Sequence, residues 1–89
     1  MIESIRRALR IKTDSHDEEI ERYITYVKMD LIYHGMSRDS YDESDPLIIT
    51  LTEIYCKVMF EFDGKQDWYM NQYNLRRDNI VCMERYRGN

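Results

Sequence analysis

Any chemistry in this chain would have to come from two cysteines, two histidines and many acidic side chains. Cys56 and Cys82 show no CxxC spacing and have no histidine near them in sequence, which argues against a zinc site and a cysteine nucleophile. Three isolated glycines cannot supply a phosphate-binding loop, and no serine stands in a nucleophile-elbow pattern. Asp17 and Glu21 could share a helix face, but such pairs are more often solvated than catalytic. The residue types therefore predict no catalytic, cofactor or metal site, and we expect the protein not to be an enzyme.

Two other polar segments are candidates for ligand binding. The acidic segment from Asp39 to Asp45 departs from the EF-hand calcium-binding pattern, because Tyr41 stands at a ligand position and the sixth-position glycine is absent. A later stretch has side chains that contact base edges and phosphates when they lie on a helix. DNA-binding domains usually present a basic surface, whereas this chain has a net charge of −4 and a pI near 5.1. A helical DNA-binding regulator remains an alternative, with its contacts on the polar face of the last helix at Asn71, Gln72, Asn74, Arg76, Arg77 and Asn79.

Charge is distributed unevenly along the chain. Residues 1–12 have four basic side chains and one acidic one, whereas residues 13–45 have ten acidic and three basic ones. The net charge is −2 over residues 46–64 and +2 over residues 65–89. Such a protomer can associate head to tail, because complementary patches steer and register contacts. Eight tyrosines among 89 residues also favour a protein-binding role, since tyrosine is enriched at interfaces.

The chain is long enough for one domain, which we take to be residues 1–89. No apolar run approaches the roughly 20 residues of a membrane-spanning helix. The N-terminal sequence MIESIRRALRIK lacks the continuous apolar segment of a signal peptide. Both cysteines fall within apolar helical patterns. We therefore predict an intracellular protein without a membrane partner, in which Cys56 and Cys82 are buried, reduced thiols.

Apolar residues recur at helical spacing in the first third of the chain. They predict a helix over about residues 2–11 and a second helix that begins near Ser15 and stops at Gly35. Ser15 precedes Glu18 by three residues, which is the capping-box arrangement, and glycine suits the left-handed residue that commonly ends a helix. The apolar stripes of these two helices consist of Ile2, Ile5, Leu9, Ile20, Ile24, Val27 and Leu31.

The pair Asp45-Pro46 predicts the start of a third helix, with aspartate as the N-cap and proline at the first helical position. This helix is the most apolar one and ends at Gly64. A fourth, half-polar helix runs from Gln66 as far as Tyr86. Apolar and polar residues do not alternate with the period of two that is typical of a strand. The predicted fold is therefore all-α, with about four helices and helix three in the centre. Helix three carries the seam Leu47, Leu51, Ile54, Val58 and Phe62, of which the middle three should be buried between helices two and four.

These segments occur in a familiar order. A short basic helix containing IRRALRI is followed by the turn TDSHDEEI and by the helix IERYITYVKMDLIYHG. After the acidic loop come DPLIITLTEIYCKVMFEFDG and a last helix with aromatic residues at its start. In this order the chain resembles the head–tail connector (adaptor) proteins of tailed bacteriophages and prophages. The resemblance covers almost the whole chain, and its most specific parts are LRIKTDSHDEEI and DPLI.

The resemblance implies a small, all-helical structural protein that acts in virion assembly and DNA packaging and has no catalytic residues. Such proteins form a homo-oligomeric ring of about twelve subunits beneath the portal protein and extend the DNA channel. Their implied partners are the portal protein, the next neck or tail completion protein and passing DNA without sequence specificity. Their implied location is the host cytoplasm during assembly and then the virion neck. The matching positions are the acidic turn Asp14, Asp17, Glu18 and Glu19 and the helix start Asp45, Pro46 and Leu47.

The charge pattern leads to a hypothesis about assembly. In a connector, we expect the basic face of helix one and the acidic turn of helix two to lie on opposite sides of the protomer and to meet between neighbours. Isolated ion pairs contribute only about 0–1 kcal/mol each, so apolar and tyrosine contacts must supply most of the affinity. The basic face could instead meet the portal, and a small acidic adaptor for another host complex is a third possible class. The residues expected at subunit or portal interfaces are Arg6, Arg7, Arg10, Asp17, Glu18, Glu21, Arg76 and Arg77.

Overall fold

The computed structural model of the protein describes residues 1–88, which form four α-helices joined by short turns. The helices are α1 (Ile2–Leu9), α2 (Asp17–Tyr33), α3 (Pro46–Met59) and α4 (Gln66–Val81). Single 3-10 turns follow α2, α3 and α4, at Arg38–Ser40, Phe62–Gly64 and Glu84–Tyr86. No strand occurs in the described part of the chain, and the predicted all-α fold of about four helices is confirmed.

Helix α3 contacts each of the other three helices, which confirms its predicted central position. One apolar cluster joins α3 to α4 and the C-terminal half of α2, and a second joins α3 to α1 and the N-terminal half of α2. Leu51 and Val58 are buried as predicted. The prediction that Ile54 is buried is wrong, because Ile54 packs at the edge of the α2–α3–α4 cluster and is only partly buried. Leu47, at the start of the seam, is exposed.

Helices α2 and α3 run in opposite directions. Tyr26 of α2 stacks on Tyr55 of α3, with ring centroids 4.7 Å apart and planes within 14° of each other. The earlier His16 meets the later Phe60 edge to face at 5.6 Å. Earlier residues of α2 therefore contact later residues of α3, as expected for two antiparallel helices.

Helices α3 and α4 are likewise antiparallel. The Lys57 ammonium lies 5.3 Å from the centre of the Tyr69 ring, whereas the earlier Leu47 shares a surface groove with the later Ile80. Since α2 and α4 both run opposite to α3, they run in the same direction as each other.

The two predicted helix starts differ in how they are capped. The Asp45 carboxylate accepts a hydrogen bond from the Leu47 N–H at 2.9 Å, which confirms the predicted cap of α3. The predicted capping box of α2 is wrong, because His16 is the N-cap residue and no side chain caps it. The Ser15 hydroxyl instead pairs with the Thr13 hydroxyl at 2.8 Å, within the turn that precedes the helix.

Three helices end earlier than predicted. Helix α3 ends at Met59 and not at Gly64, because Glu61 adopts a left-handed conformation with φ 53°. Helix α1 ends at Leu9, because Arg10 adopts a left-handed conformation with φ 60°. Helix α4 ends at Val81, and Tyr86 lies in a separate turn that folds back over the α2–α3 loop. There the Tyr86 carbonyl accepts from the Ser37 N–H at 2.7 Å. Tertiary hydrogen bonds thus replace the helical ones that a longer α4 would have made.

The two cysteines have different environments. Cys56 is fully buried in the α1–α2–α3 cluster, and burial raises its pKa to about 12. Cys82 follows the last residue of α4 and is exposed, so the prediction that both thiols are buried is wrong for Cys82. Val81 takes the core position at this end of the helix, which leaves the next residue on the outer side.

Candidate interaction surfaces

Arg6 and Asp17, both predicted at an interface, pair with each other within one protomer. Arg6 Nε donates to Asp17 Oδ1 at 2.8 Å, and Arg6 Nη2 donates to Asp17 Oδ2. This bidentate pair joins α1 to the first turn of α2, and the hydrogen bonds from Arg6 lower the pKa of Asp17. The expectation that the basic face and the acidic turn lie on opposite sides of the protomer is therefore wrong for these two residues.

Arg77 is also engaged inside the protomer. Its Nη1 lies 3.3 Å from the Asp30 carboxylate on α2, and its Nη2 lies 3.0 Å from Asp78. The Tyr73 hydroxyl donates to the same Asp30 carboxylate at 2.6 Å. Burial, together with this bond to a carboxylate, raises the pKa of Tyr73. Asp30 thus ties α2 to α4, and the Arg77 side chain, only 16% exposed, points toward α2 and not outward.

The remaining predicted interface residues are exposed and take part in no ion pair among residues 1–88. Two of them continue the basic side of α1, two extend the acidic start of α2, and one lies on the outer half of α4. These five residues are Arg7, Arg10, Glu18, Glu21 and Arg76.

Helix α2 has a seam of one arginine and three large apolar side chains on the side away from its buried stripe, and the Tyr26 ring of this seam also stacks on Tyr55 of α3. The seam, which we name the α2 seam, consists of Arg22, Tyr26, Met29 and Tyr33, at intervals of four, three and four residues. The side chains of Tyr26, Met29 and Tyr33 are 49%, 46% and 85% exposed. Side chains at this spacing form one ridge along a helix. The exposed Glu18 and Glu21 lie beside its N-terminal end and line a shallow groove with Tyr26 and Met29.

Helix α4 has a second exposed seam, which we name the α4 seam. It consists of Trp68, Leu75 and Cys82, each seven residues after the one before. Trp68 is 56% exposed and Leu75 is 58% exposed, although both are large apolar side chains. The core side of the same helix is occupied by Tyr69, Tyr73 and Ile80. A seven-residue spacing of outward apolar side chains is typical of a helix that packs against another helix.

Neither seam was identified from the sequence as a separate surface. The apolar residues of α4 occur on both sides of the helix. From the sequence alone this pattern indicates a helix that contributes only partly to the core, and it does not show which side is buried. The visible signal was the seven-residue spacing of Trp68, Leu75 and Cys82 in an otherwise polar stretch. Exposed apolar side chains that lie together mark interaction sites more often than those scattered singly.

Two other kinds of site are missing from residues 1–88. In this part of the chain, no three or more His, Cys, Asp or Glu side chains are grouped so that they could hold a metal ion. Over the same residues, no helix has the length and apolar character needed to cross a membrane. The two seams and the exposed charges beside them are therefore the surfaces on which a function can be argued.

Comparison with known proteins identifies the family. No curated protein and no solved structure matches the chain. The family model described as "Phage connector protein" matches residues 1–81, which contain all four helices and both seams except Cys82. The match agrees with the resemblance noted in the basic first helix, the acidic turn and the Asp45-Pro46 helix start. The chain belongs to the phage connector protein family.

Proposed function

We propose that this protein is the subunit of a closed ring that lies beneath the portal, extends the DNA channel and joins the phage head to the next neck or tail protein. Membership of the connector family supports a structural role in a phage particle. The observation that carries the ring is that the protomer exposes apolar seams on two different helices. A contact between two different surfaces repeats from one subunit to the next, and it closes into a ring when the rotation allows.

The exposed charges fit this role. The ring would present an acidic protein to DNA, and a net charge of −4 per subunit disfavours tight binding, so DNA can slide through. The exposed basic residues Arg7, on α1, and Arg10, directly after it, are our candidates for contact with the portal. The proposed role requires no catalytic residue.

The DNA-binding regulator fits the structure less well. It would use the outer half of α4 to read bases, but Arg77 is held by Asp30 and Asp78 within the protomer. Asn74 is partly buried. A regulator would retain duplex DNA with an affinity that falls steeply as salt rises, whereas a connector subunit should show little retention.

Electron microscopy of the purified protein tests the proposal most simply. Images are recorded at high protein concentration, first with the protein alone and then with the cognate portal protein. We expect rings whose outer edge repeats regularly, either free or stacked on the portal. Particles that stay monomeric or dimeric in both samples would contradict the proposed function.

A further inference from the structure

We propose that neighbouring subunits meet through the α2 seam of one copy and the α4 seam of the next, with the two helices parallel. The proposal rests on the proposed function in one respect, since it assumes that the copies are related by a ring rotation. The occupant of each seam is thus a second copy of this chain. Apolar content, helix direction and charge each support this assignment.

Side chains of the two seams match in spacing. Arg22 and Met29 are seven residues apart on α2, and Trp68 and Leu75 are seven residues apart on α4. When Arg22 lies beside Trp68, Met29 lies beside Leu75 at the same height. In this register the Arg22 guanidinium can cover the Trp68 ring, which is the arrangement of a cation–π contact. Knobs that recur every seven residues interdigitate over two helical turns without a change of register.

Helix direction follows from the rotation between neighbours. In a ring of about twelve subunits, adjacent copies differ by a rotation of about 30°, so corresponding helices of adjacent copies point in nearly the same direction. Helices α2 and α4 run in the same direction within one protomer, because each is antiparallel to α3. The α2 helix of one copy and the α4 helix of the next therefore run in the same sense and not in opposite senses.

Charge supports the same register on one flank. With Arg22 beside Trp68, the acidic Glu21 falls next to the basic Lys65, and the Arg22 guanidinium in the seam lies within reach of Asp67. These four side chains are exposed, and none forms an ion pair within the described part of the protomer. On the other flank Asp67 falls next to Glu19, whose carboxylate accepts from the Tyr23 hydroxyl at 3.0 Å. The Glu21–Lys65 pair contributes little by itself, but it disfavours a shift of the helices.

Disulfide cross-linking tests the register. The variant Met29→Cys/Leu75→Cys is made in a Cys82→Ser background, so that the buried Cys56 is the only native thiol left. Two cysteines form a disulfide only when their Cα atoms come within about 7 Å. We expect a ladder of covalent dimers, trimers and higher oligomers, because a contact between two different surfaces links each subunit to two neighbours. Either single variant, Met29→Cys or Leu75→Cys, should give no ladder.

An antiparallel contact through the same positions would add a second cross-link. With Met29 beside Leu75 on antiparallel helices, seven residues back along α2 correspond to seven residues forward along α4, so Arg22 would lie beside Cys82. In the parallel register, the variant Arg22→Cys, which keeps the native Cys82, should not cross-link, since Cys82 lies fourteen residues or about 21 Å along α4 from the position that faces Arg22. A ladder from Arg22→Cys overturns the parallel register, whether or not Met29→Cys/Leu75→Cys also gives one. Dimers from Met29→Cys alone overturn the assignment of α4 as the partner surface.

A charge reversal tests the Glu21–Lys65 pair without cysteine chemistry. We expect Lys65→Glu to lower the association constant of the free protein by about fivefold and Glu21→Lys/Lys65→Glu to restore it. Lys12→Glu is the matched control, because it makes the same substitution at an exposed residue between α1 and α2. An equal loss with Lys12→Glu, or no restoration in the double variant, overturns the assignment.

The outcomes separate this contact from the proposed function. Rings without a Met29→Cys/Leu75→Cys ladder leave the connector function standing and overturn the seam contact. A ladder without closed rings, alone or on the portal, upholds the contact and overturns the ring. A ladder together with rings supports both.

Discussion

Tyr73→Phe removes the hydroxyl that links α4 to α2 through Asp30. The Tyr73 hydroxyl donates to the Asp30 carboxylate at 2.6 Å, and the tyrosine side chain is 2% exposed. A hydrogen bond to a charged group contributes about 1.5–3 kcal/mol to stability. Asp30 keeps Arg77 as a partner in the variant, so no uncompensated buried charge adds to this cost. We therefore expect the free energy of unfolding to fall by about 1.5–3 kcal/mol.

Urea unfolding followed by circular dichroism measures this loss. For a domain of this size, each kcal/mol corresponds to about 4–8 °C in Tm, so thermal unfolding gives an independent check. Tyr33→Phe is the matched control, because Tyr33 is 85% exposed and its hydroxyl bonds to no described residue. We expect the effect of Tyr73→Phe to shrink when Asp30 is already asparagine, since the two residues are in contact. A loss below about 0.5 kcal/mol, the usual surface value, would refute the view that this hydrogen bond holds the two helices together.

Three further outcomes follow from the structure. Leu51→Ala should lower the free energy of unfolding by about 2–5 kcal/mol in the same urea assay, because Leu51 is fully buried in the core; a loss below about 0.5 kcal/mol would contradict that burial. A thiol reagent should label Cys82 rapidly and Cys56 only after unfolding, since burial raises the pKa of Cys56 to about 12; rapid labelling of both would contradict the fold around α3. Arg6→Ala should return the lowered pKa of Asp17 to its ordinary value near 3.8, as measured by NMR titration. Because the folded pKa of Asp17 is lowered, its contribution to stability is present above pH 3.8 and is lost as the pH falls through the folded value; an unchanged pKa in the variant would show that the pair does not form.

Features encoded within a few residues were predicted well from the sequence. The stripe Ile20, Ile24, Val27 and Leu31 is buried, because its spacing matches one face of a helix. The Asp45 cap forms because proline fixes the first turn and the carboxylate needs only the backbone N–H two residues later. The Ser15 cap failed although its motif is equally local, because Thr13 offers a competing partner within the same turn.

Features that depend on how helices pack were predicted less well. Cys82 was expected in the core, but the last turn of α4 buries Val81, and no local pattern tells which of two adjacent apolar residues faces inward. The Arg6–Asp17 pair depends on the angle between α1 and α2, so charge counting by segment placed its members on separate surfaces. The two seams became visible only when the core sides of α2 and α4 were known. The all-α fold and the connector family could thus be predicted from the sequence, whereas the surfaces that build an assembly could not.

Native mass spectrometry of the concentrated protein, alone and with the cognate portal, tests the central claim most directly. The proposed ring predicts one dominant assembly whose mass, after any bound portal is subtracted, is a fixed multiple of the 10.9 kDa subunit and does not grow with further concentration. Glu21→Lys/Lys65→Glu should give the same multiple, whereas Lys65→Glu should require a higher concentration to reach it. A mass that stops at the dimer, or a series that lengthens without limit as concentration rises, would contradict the account of this protein as a ring-forming connector.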